Sequence, residues 1–203
     1  MWPGVSGRAG DPSIYFDARL NAEVAKIYPG QYFVTDRDMV LATVLGSCVA
    51  ACIRDPATGV GGMNHFLLPQ TFGDVSPANR SARYGTYAME VLINHLLRHG
   101  ACKSTMEAKV FGGGSVIPDL RTAAVGESNA RFIVEYLSKE GIQVAAKDLL
   151  DECARKIYFF PASGRVMVKK LRNLRNDTVL ARELDYSRQL QLVDMSGEVE
   201  LFK

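Results

Sequence analysis

The chain has 203 residues, of which 47% are hydrophobic and 23% are charged. These proportions are ordinary for a folded globular protein and exclude the disordered and fibrous classes. At this length one domain can bury roughly 70% of the surface of the unfolded chain, so neither a disulfide nor a metal ion is needed for stability. The 24 Lys and Arg residues against 22 Asp and Glu residues leave a net charge of +2, which argues against nucleic acid or an anionic membrane as a partner.

The first residues, "MWPGVSGRAGDPS", lack the basic and apolar regions of a secretory signal. Apolar runs in the chain stay well below the roughly eighteen residues of a membrane span, so we expect a cytoplasmic protein without membrane insertion. The cysteines are too few and too unevenly spaced for a disulfide framework or a zinc site; they are Cys48, Cys52, Cys102 and Cys153. We therefore expect free thiols, with neither a metal ion nor another cofactor.

Residues 1–28 are expected to form an N-terminal extension that is partly helical or loose. Apolar side chains recur at a rough helical spacing within residues 13–28, which predicts a helix there. Pro29 and Gly30 end this helix. We expect residues 29–203 to form a single domain that includes a C-terminal helix and strand.

The segments after Gly30 have the β-branched and aromatic content of strands. Two of them, "YFVTD" and "MVLATVL", predict single strands. The runs "CVAACIRD" and "GVGGMNHFLLP" are joined by residues 55–59, whose Pro and Gly favour a turn. This pattern predicts a hairpin, and because both of its faces are apolar we place it in the centre of a sheet.

The remaining elements alternate between helices and strands. We predict helices over residues 78–100, 128–140 and 177–189, strands at "MEAKVFGGG", "IQVAA" and "EVELF", and a second hairpin over residues 154–171 that turns at residues 161–164. Hairpins indicate antiparallel sheet, and the helices are long enough to cover one face of it. The expected fold is therefore α+β, a layered β-sandwich with flanking helices.

The length of the first hairpin loop decides whether Cys48 and His65 meet, because side chains alternate between the two faces of a strand. A loop over residues 55–58 places the two directly opposite each other, and a loop over residues 56–59 places them on a diagonal. Either arrangement puts both on one face, with Cβ atoms about 5 to 8 Å apart. A loop with an odd number of residues separates them.

A cysteine beside a histidine is a potential nucleophile, because an imidazolium lowers the pKa of a thiol from about 8.5 to between about 3.5 and 7.5. Gly46 allows close approach of a substrate, and the N–H groups around Ser47 and Cys48 can bind the oxygen of a tetrahedral intermediate. A small buried thiol facing a core histidine fits the same spacing, so spacing alone leaves both interpretations open. The enzymatic interpretation requires that a side chain from outside can reach the pair.

Several segments combine into a more specific pattern. They are "TVLGSCVAACIRDPATGVGGMNHFLLP", "AKVFGGGSVI", "GESNARFIVEYLSKEGI" and "SGRVMVKKL". Together they resemble the CheD family of bacterial chemotaxis glutamine deamidases. The resemblance runs from about residue 29 to residue 171 and continues into "NDTVLARELDY", which is similar to the C-terminal part of longer members.

The resemblance implies an activity, a substrate and a fold. The activity is hydrolysis of the side-chain amide of particular glutamines on methyl-accepting chemoreceptors, in their cytoplasmic helical region, with release of ammonia. The fold is similar to glutamine-deamidating bacterial toxins, in which a β-sandwich flanked by helices bears a papain-like Cys-His site. Residues 29–203 are accordingly expected to be a catalytic CheD-like domain.

The resemblance also implies roles for individual residues. Cys48 is the expected nucleophile, His65 the general base and acid, and Thr43 the third polar group, which orients His65. Oxyanion-binding or substrate-lining positions are expected at Gly46, Ser47, Gly112 and Gly113. Asn64 is a further candidate as a neighbour of His65, although it points to the opposite face of the strand and also fits a residue that caps the sheet. Thr43 also fits an ordinary strand residue, so its role stays open at this point.

Some CheD members bind a chemotaxis phosphatase of the CheC type, so the resemblance leaves a second reading open. In this alternative the chain is a non-catalytic adaptor that needs no working thiol. A transamidase, in which an amine replaces water at the thioester, is a third. We expect a monomer, because the predicted helices offer no exposed apolar face that demands a second copy.

Overall fold

The computed structural model describes residues 12–68, 77–116, 120–171 and 177–192. Within these residues two five-stranded sheets and three α-helices form the molecule. The strands are β1 (Ser13–Asp17), β2 (Ala22–Lys26), β3 (Tyr32–Thr35), β4 (Val40–Leu45), β5 (Val49–Arg54), β6 (Gly61–Asn64), β7 (Glu107–Gly112), β8 (Gln143–Leu149), β9 (Ala154–Phe160) and β10 (Arg165–Leu171). The helices are α1 (Pro77–Arg98), α2 (Leu120–Lys139) and α3 (Asp177–Leu192), with a short 3-10 helix at Lys103–Thr105.

The two sheets and two of the helices form three layers that share the main apolar core. The first sheet has the strand order β1-β2-β4-β9-β10 and the second β3-β6-β5-β7-β8. Leu41 and Phe159 of the first sheet lie in the same buried apolar cluster as Ile53 of the second. On the other side of the second sheet, α1 and α2 bury Leu92 and Ile133 in this cluster. The predicted α+β class, a layered β-sandwich with flanking helices, is confirmed.

Strand pairing is mostly antiparallel, with two parallel pairs. β5 pairs antiparallel with β6, and β9 with β10, as the two predicted hairpins require. β7 and β8 are parallel, because α2 lies between them in the chain and returns it to the same end of the sheet. β2 and β4 form the second parallel pair. None of the described helices is long and apolar enough to cross a membrane.

The helix predicted over residues 13–28 is wrong, because this segment is the hairpin of β1 and β2. The Asp17 side chain accepts hydrogen bonds from the N–H groups of Arg19 and Leu20, which closes the turn between the strands. Val24 is fully buried beside β4. Sheet pairing thus overrides the helical spacing. A domain boundary at residue 29 stays a prediction; β2 lies in the same sheet as β4.

The other predicted elements correspond to observed ones, with differences at their ends. α2 begins at Leu120 rather than at residue 128, so Gly126 lies inside the helix. A Cβ at Gly126 would lie 2.5 Å from the carbonyl oxygen of Gly113, so the glycine allows α2 to approach the end of β7. Residues 1–11 and the predicted strand "EVELF" lie outside the described residues.

Gly112, the last residue of β7, has a φ of +110°, and a Cβ there would lie 2.1 Å from the carbonyl oxygen of Cys48. Gly112→Ala should therefore lower the free energy of unfolding by about 3 kcal/mol or more, since the contact is with backbone that cannot rotate away. Gly59→Ala is the control: Gly59 has a φ of +77° with open space around it, so the change should cost only about 1 kcal/mol. Urea denaturation measures both, and equal losses would contradict this account.

Candidate active site

The hairpin of β5 and β6 has the second of the two predicted even loops. The N–H of Asp55 donates to the carbonyl of Val60 at 2.9 Å, so the loop covers residues 56–59. This register places Cys48 and His65 on a diagonal, as predicted for that loop length. A ring nitrogen of His65 and the sulfur of Cys48 lie within 4.8 Å of each other.

Thr43 fixes the orientation of the His65 ring. The Thr43 hydroxyl donates to the carbonyl of Ile27 at 2.7 Å, and its oxygen lies 2.8 Å from Nδ1 of His65. Because the single hydroxyl proton is used at Ile27, the oxygen accepts from a protonated Nδ1. A neutral imidazole then carries its lone pair on Nε2, which is buried and has no hydrogen-bond partner among the described residues. Nε2 is thereby left free to accept a proton.

Residues 46–48, here called the Cys48 loop, turn their N–H groups towards one point. Their carbonyls are held on the other side by three hydrogen bonds from outside the loop. These run from the N–H of Gly114 to Gly46 at 2.7 Å, from the side-chain amide of Asn129 to Ser47 at 2.9 Å and from the N–H of Gly113 to Cys48 at 2.8 Å. In a trans peptide the carbonyl of one residue and the N–H of the next point in opposite directions, so the fixed carbonyls of Gly46 and Ser47 orient the N–H groups of Ser47 and Cys48. Together with the N–H of Gly46, these groups form a cradle suited to an anionic oxygen.

Glu183 of α3 fills this cradle, although the sequence analysis did not single it out. Its carboxylate accepts from the N–H groups of Gly46, Ser47 and Cys48 at 2.9, 3.0 and 3.2 Å, and from the Ser47 hydroxyl at 2.6 Å. A Cβ at Gly46 would lie 3.0 Å from both carboxylate oxygens, so glycine permits this close approach. Glu183 and Tyr186 are three residues apart and lie on the buried face of α3. This helical spacing is the signal in the sequence that could have pointed to Glu183.

The structure brings most of the predicted site residues together. Thr43, Gly46, Ser47, Cys48 and His65 surround the Glu183 carboxylate or contact each other, as described above. Gly112 and Gly113 lie behind the Cys48 loop and contact it through backbone atoms.

Asn64 lies apart from these groups. Its side-chain oxygen accepts from the N–H of Ala51 at 2.9 Å, and its amide nitrogen donates to the carbonyl of Ala88 in α1 at 3.1 Å. Adjacent residues of a strand point to opposite faces, so Asn64 connects the sheet to the helix layer while His65 faces Cys48.

Burial keeps the two reactive groups uncharged in this arrangement. It raises the pKa of the Cys48 thiol well above its usual value, and the negative charge of Glu183 and the hydrogen bond to it raise it further. Burial also lowers the pKa of His65 to about 4, opposed in part by Glu183 and the backbone carbonyl of Ile27. At neutral pH the site therefore holds a thiol and a neutral imidazole rather than an ion pair.

The site is closed to a substrate side chain in this structure. Cys48 is 0% exposed and His65 is 2% exposed. A narrow cavity of about 20 Å³ reaches His65 between Thr43 and Arg182, which is space for about one water molecule. The expectation that an outside side chain can reach the pair is thus not met while α3 covers it.

Cys48, His65 and Glu183 also offer ligand atoms that lie within 4.8 Å of one another, a set that could hold a metal ion such as Zn²⁺. The Glu183 carboxylate, however, already accepts four hydrogen bonds from the Cys48 loop. A metal ion would have to compete with all four of these hydrogen bonds for the carboxylate. The arrangement therefore suits the binding of an anionic oxygen by the Cys48 loop better than the binding of a metal ion.

Comparison with known proteins places this geometry in a family. Residues 67–170 match the family model CheD, described as chemotactic sensory transduction. A protein of Janthinobacterium sp. (strain Marseille) named "Probable chemoreceptor glutamine deamidase CheD" is 54% identical over 191 residues, which cover 94% of each chain. A protein of Dechloromonas aromatica (strain RCB), named "Probable chemoreceptor glutamine deamidase CheD 1", is 55% identical over 188 residues, which cover 93% of each chain.

A solved structure from Neisseria meningitidis, assigned to the family DUF152, is 12% identical to this chain, with a TM-score of 0.39 over 66% of this chain and 64% of the other. This similarity is too low to support an inference about function. The family model covers half of the chain and the curated relatives cover nearly all of it. The chain belongs to the CheD family.

Proposed function

We propose that this chain is a chemoreceptor glutamine deamidase, which hydrolyses the side-chain amide of glutamines on methyl-accepting chemoreceptors and releases ammonia. The observation that carries the proposal is the convergence of the Cys48 thiol, the free Nε2 of His65 and the N–H cradle at one point. These are the nucleophile, the base and the oxyanion site that amide hydrolysis through a thioester needs. The curated relatives bear the name of this activity.

The first half of the reaction forms a thioester. Nε2 of His65 takes the proton of the Cys48 thiol, and the sulfur attacks the amide carbon of the substrate glutamine. The amide oxygen becomes an oxyanion, which accepts hydrogen bonds from the N–H groups of the Cys48 loop. His65 then returns the proton to the amide nitrogen as the carbon–nitrogen bond breaks, so ammonia leaves instead of an amide ion.

The second half regenerates the enzyme. His65, neutral again, removes a proton from a water molecule, and the hydroxide adds to the thioester carbon. The carbon–sulfur bond breaks as His65 returns this proton to the sulfur, and the products are a glutamate side chain and the free Cys48 thiol. Throughout, Thr43 accepts from Nδ1 of His65, which keeps Nε2 directed at the reacting atoms and stabilises the imidazolium as it forms.

The partners follow from this activity. The substrate is the helical cytoplasmic region of a methyl-accepting chemoreceptor, and we accordingly place the enzyme in the cytoplasm. That the enzyme is a monomer stays a prediction. Binding to a CheC-type phosphatase stays a prediction. An adaptor does not need the Cys48 sulfur, so binding that persists in Cys48→Ala separates this role from catalysis.

Cys48→Ala should abolish deamidation of a purified cytoplasmic receptor fragment, because no other group in the proposed mechanism attacks the amide carbon. Deamidation is measured as ammonia release and as a gain of about one dalton at glutamine by mass spectrometry. Cys52→Ala is the matched control, since Cys52 is equally buried but plays no part in the reaction. Persistent activity in Cys48→Ala, with Cys52→Ala unchanged, would refute the proposed nucleophile.

Thr43→Val should lower kcat/KM by roughly 10- to 100-fold, because it leaves Nδ1 of His65 without an acceptor and costs about 1–3 kcal/mol of transition-state stabilisation. Thr43→Ser retains the hydroxyl and should keep most of the activity. The pH profile of kcat/KM, measured for both variants, should shift only in Thr43→Val. If the two variants are equally active, Thr43 is an ordinary strand residue.

The low pKa of His65 predicts that the protein loses stability in acid. The unfolded chain binds this proton near pH 6.5 and the folded chain near pH 4, so the unfolded state holds more protons between these values. The free energy of unfolding should therefore fall with decreasing pH, by up to about 1.4 kcal/mol per pH unit from this group. The slope of the free energy of unfolding against pH, measured by urea denaturation between pH 7 and pH 4, should be shallower in His65→Gln than in wild type. The exposed control, His99→Gln, should keep the wild-type slope; equal slopes in all three proteins contradict a buried neutral His65.

A further inference from the structure

Glu183 is a buried carboxylate whose hydrogen bonds to other described residues all come from the Cys48 loop. It is 6% exposed, and among the described residues it forms no ion pair with a lysine or arginine. Four donors of the Cys48 loop compensate its charge. A buried carboxylate is costly unless such donors satisfy it, so the loop is built to receive an oxygen that carries negative charge.

The carboxylate in the cradle is the same functional group as the product of the proposed reaction. Deamidation of glutamine on a receptor helix yields a glutamate γ-carboxylate presented by an α-helix. Glu183 is a glutamate presented by the helix α3, with its γ-carboxylate in hydrogen-bond contact with the Cys48 loop and within 4.8 Å of the sulfur and of the His65 ring. It therefore occupies the volume that the proposed substrate needs.

A narrow stripe of side chains holds α3 in place. Glu183, Tyr186 and Leu190, spaced three and four residues apart, are the buried positions among residues 181–190. The hydroxyl of Tyr186 is hydrogen-bonded to that of Tyr84 in α1. The neighbouring Leu184 is 49% exposed. Tyr186 and Leu190 belong to the main buried apolar cluster, so departure of α3 uncovers one side of that cluster. Only these two apolar side chains of residues 181–190 have to leave it, which favours local opening of α3 over unfolding of the whole domain.

We propose that α3 is an intramolecular product mimic, which holds the enzyme in a closed state until a receptor helix displaces it. This inference rests on the proposed function. Displacement of Glu183 has two effects at once: it empties the cradle for the substrate oxygen, and it removes the negative charge that disfavours the Cys48 thiolate. The seat of α3 is then the seat of the substrate helix, which should present apolar or aromatic side chains three and seven residues after its glutamine, as α3 does after Glu183.

Release of α3 can be measured as the alkylation rate of Cys48 by iodoacetamide in the full-length protein, followed by peptide mass spectrometry. The exposed thiol of Cys102 is an internal reference. Glu183→Ala should accelerate alkylation of Cys48 relative to Cys102, by about tenfold for each unit by which the thiol pKa falls. Leu190→Ala, which loosens α3 without touching the cradle, should accelerate it as well. The exposed control on the same helix, Asp185→Asn, should not.

The same variants are assayed for deamidation of the receptor fragment. Both Glu183→Ala and Leu190→Ala should raise kcat/KM. The proposal is overturned if Cys48 alkylation is unchanged in both variants, or if Glu183→Ala lowers kcat/KM while Leu190→Ala has no effect, since Glu183 then assists the reaction. If alkylation is accelerated while wild type and variants all leave the receptor glutamines intact, the closed state stands and the proposed function fails.

The product-mimic geometry has a sharper test in E183Q. This change puts a helix-borne amide where the product carboxylate lies, so the enzyme should convert it in cis, with a gain of about one dalton in the peptide that contains position 183. The double variant with Cys48→Ala should keep the amide. An amide that persists in E183Q, under conditions in which wild type deamidates the receptor fragment, overturns the mimic while leaving the proposed function intact.

Discussion

The site depends on one constraint, the fixing of three consecutive carbonyls on the far side of the Cys48 loop. Gly113, Gly114 and Asn129 donate to them, and these donors come from the end of β7 and from α2. In a trans peptide the carbonyl of one residue and the N–H of the next point in opposite directions, so the fixed carbonyls of Gly46 and Ser47 direct the N–H groups of Ser47 and Cys48 into the cradle. The second sheet and the helix packed on it therefore preorganise the cradle before any anion binds, which is the arrangement that makes backbone donors effective in catalysis.

Hairpin parity could be predicted from the sequence because it depends only on local turn chemistry and on the two-residue period of a strand. Both even loop lengths bring Cys48 and His65 onto one face and an odd length separates them; the structure selects the even loop over residues 56–59. The helix expected over residues 13–28 failed for the opposite reason: what decides that segment is pairing with β4, a partner the local pattern does not contain. Glu183 lies 135 residues from Cys48, so only tertiary structure brings it into the cradle.

The closed state explains why the Cys48 thiol is difficult to ionise in this structure although the proposed reaction needs a thiolate. Burial and the Glu183 charge raise the pKa of the Cys48 thiol, although thiolate chemistry needs a nucleophile that ionises readily. The charge comes from α3 and leaves with it, and α3 also covers the cradle beside Cys48. The β-sheets hold Thr43 and His65 in place independently of α3, because their hydrogen bonds run to Ile27 and within the sandwich. The catalytic base, His65, is thus held by the β-sheets, whereas the cover of the site is the separate helix α3.

The account stands on a covalent bond between Cys48 and the substrate glutamine. The direct measurement is rapid acid quenching of the enzyme during turnover of a receptor fragment, followed by peptide mass spectrometry of the cysteine-containing peptides. We predict a thioester that joins the receptor glutamyl side chain to Cys48, with ammonia already lost. Turnover that proceeds with Cys48 unmodified at every quench time, or with the adduct on another cysteine, would contradict it.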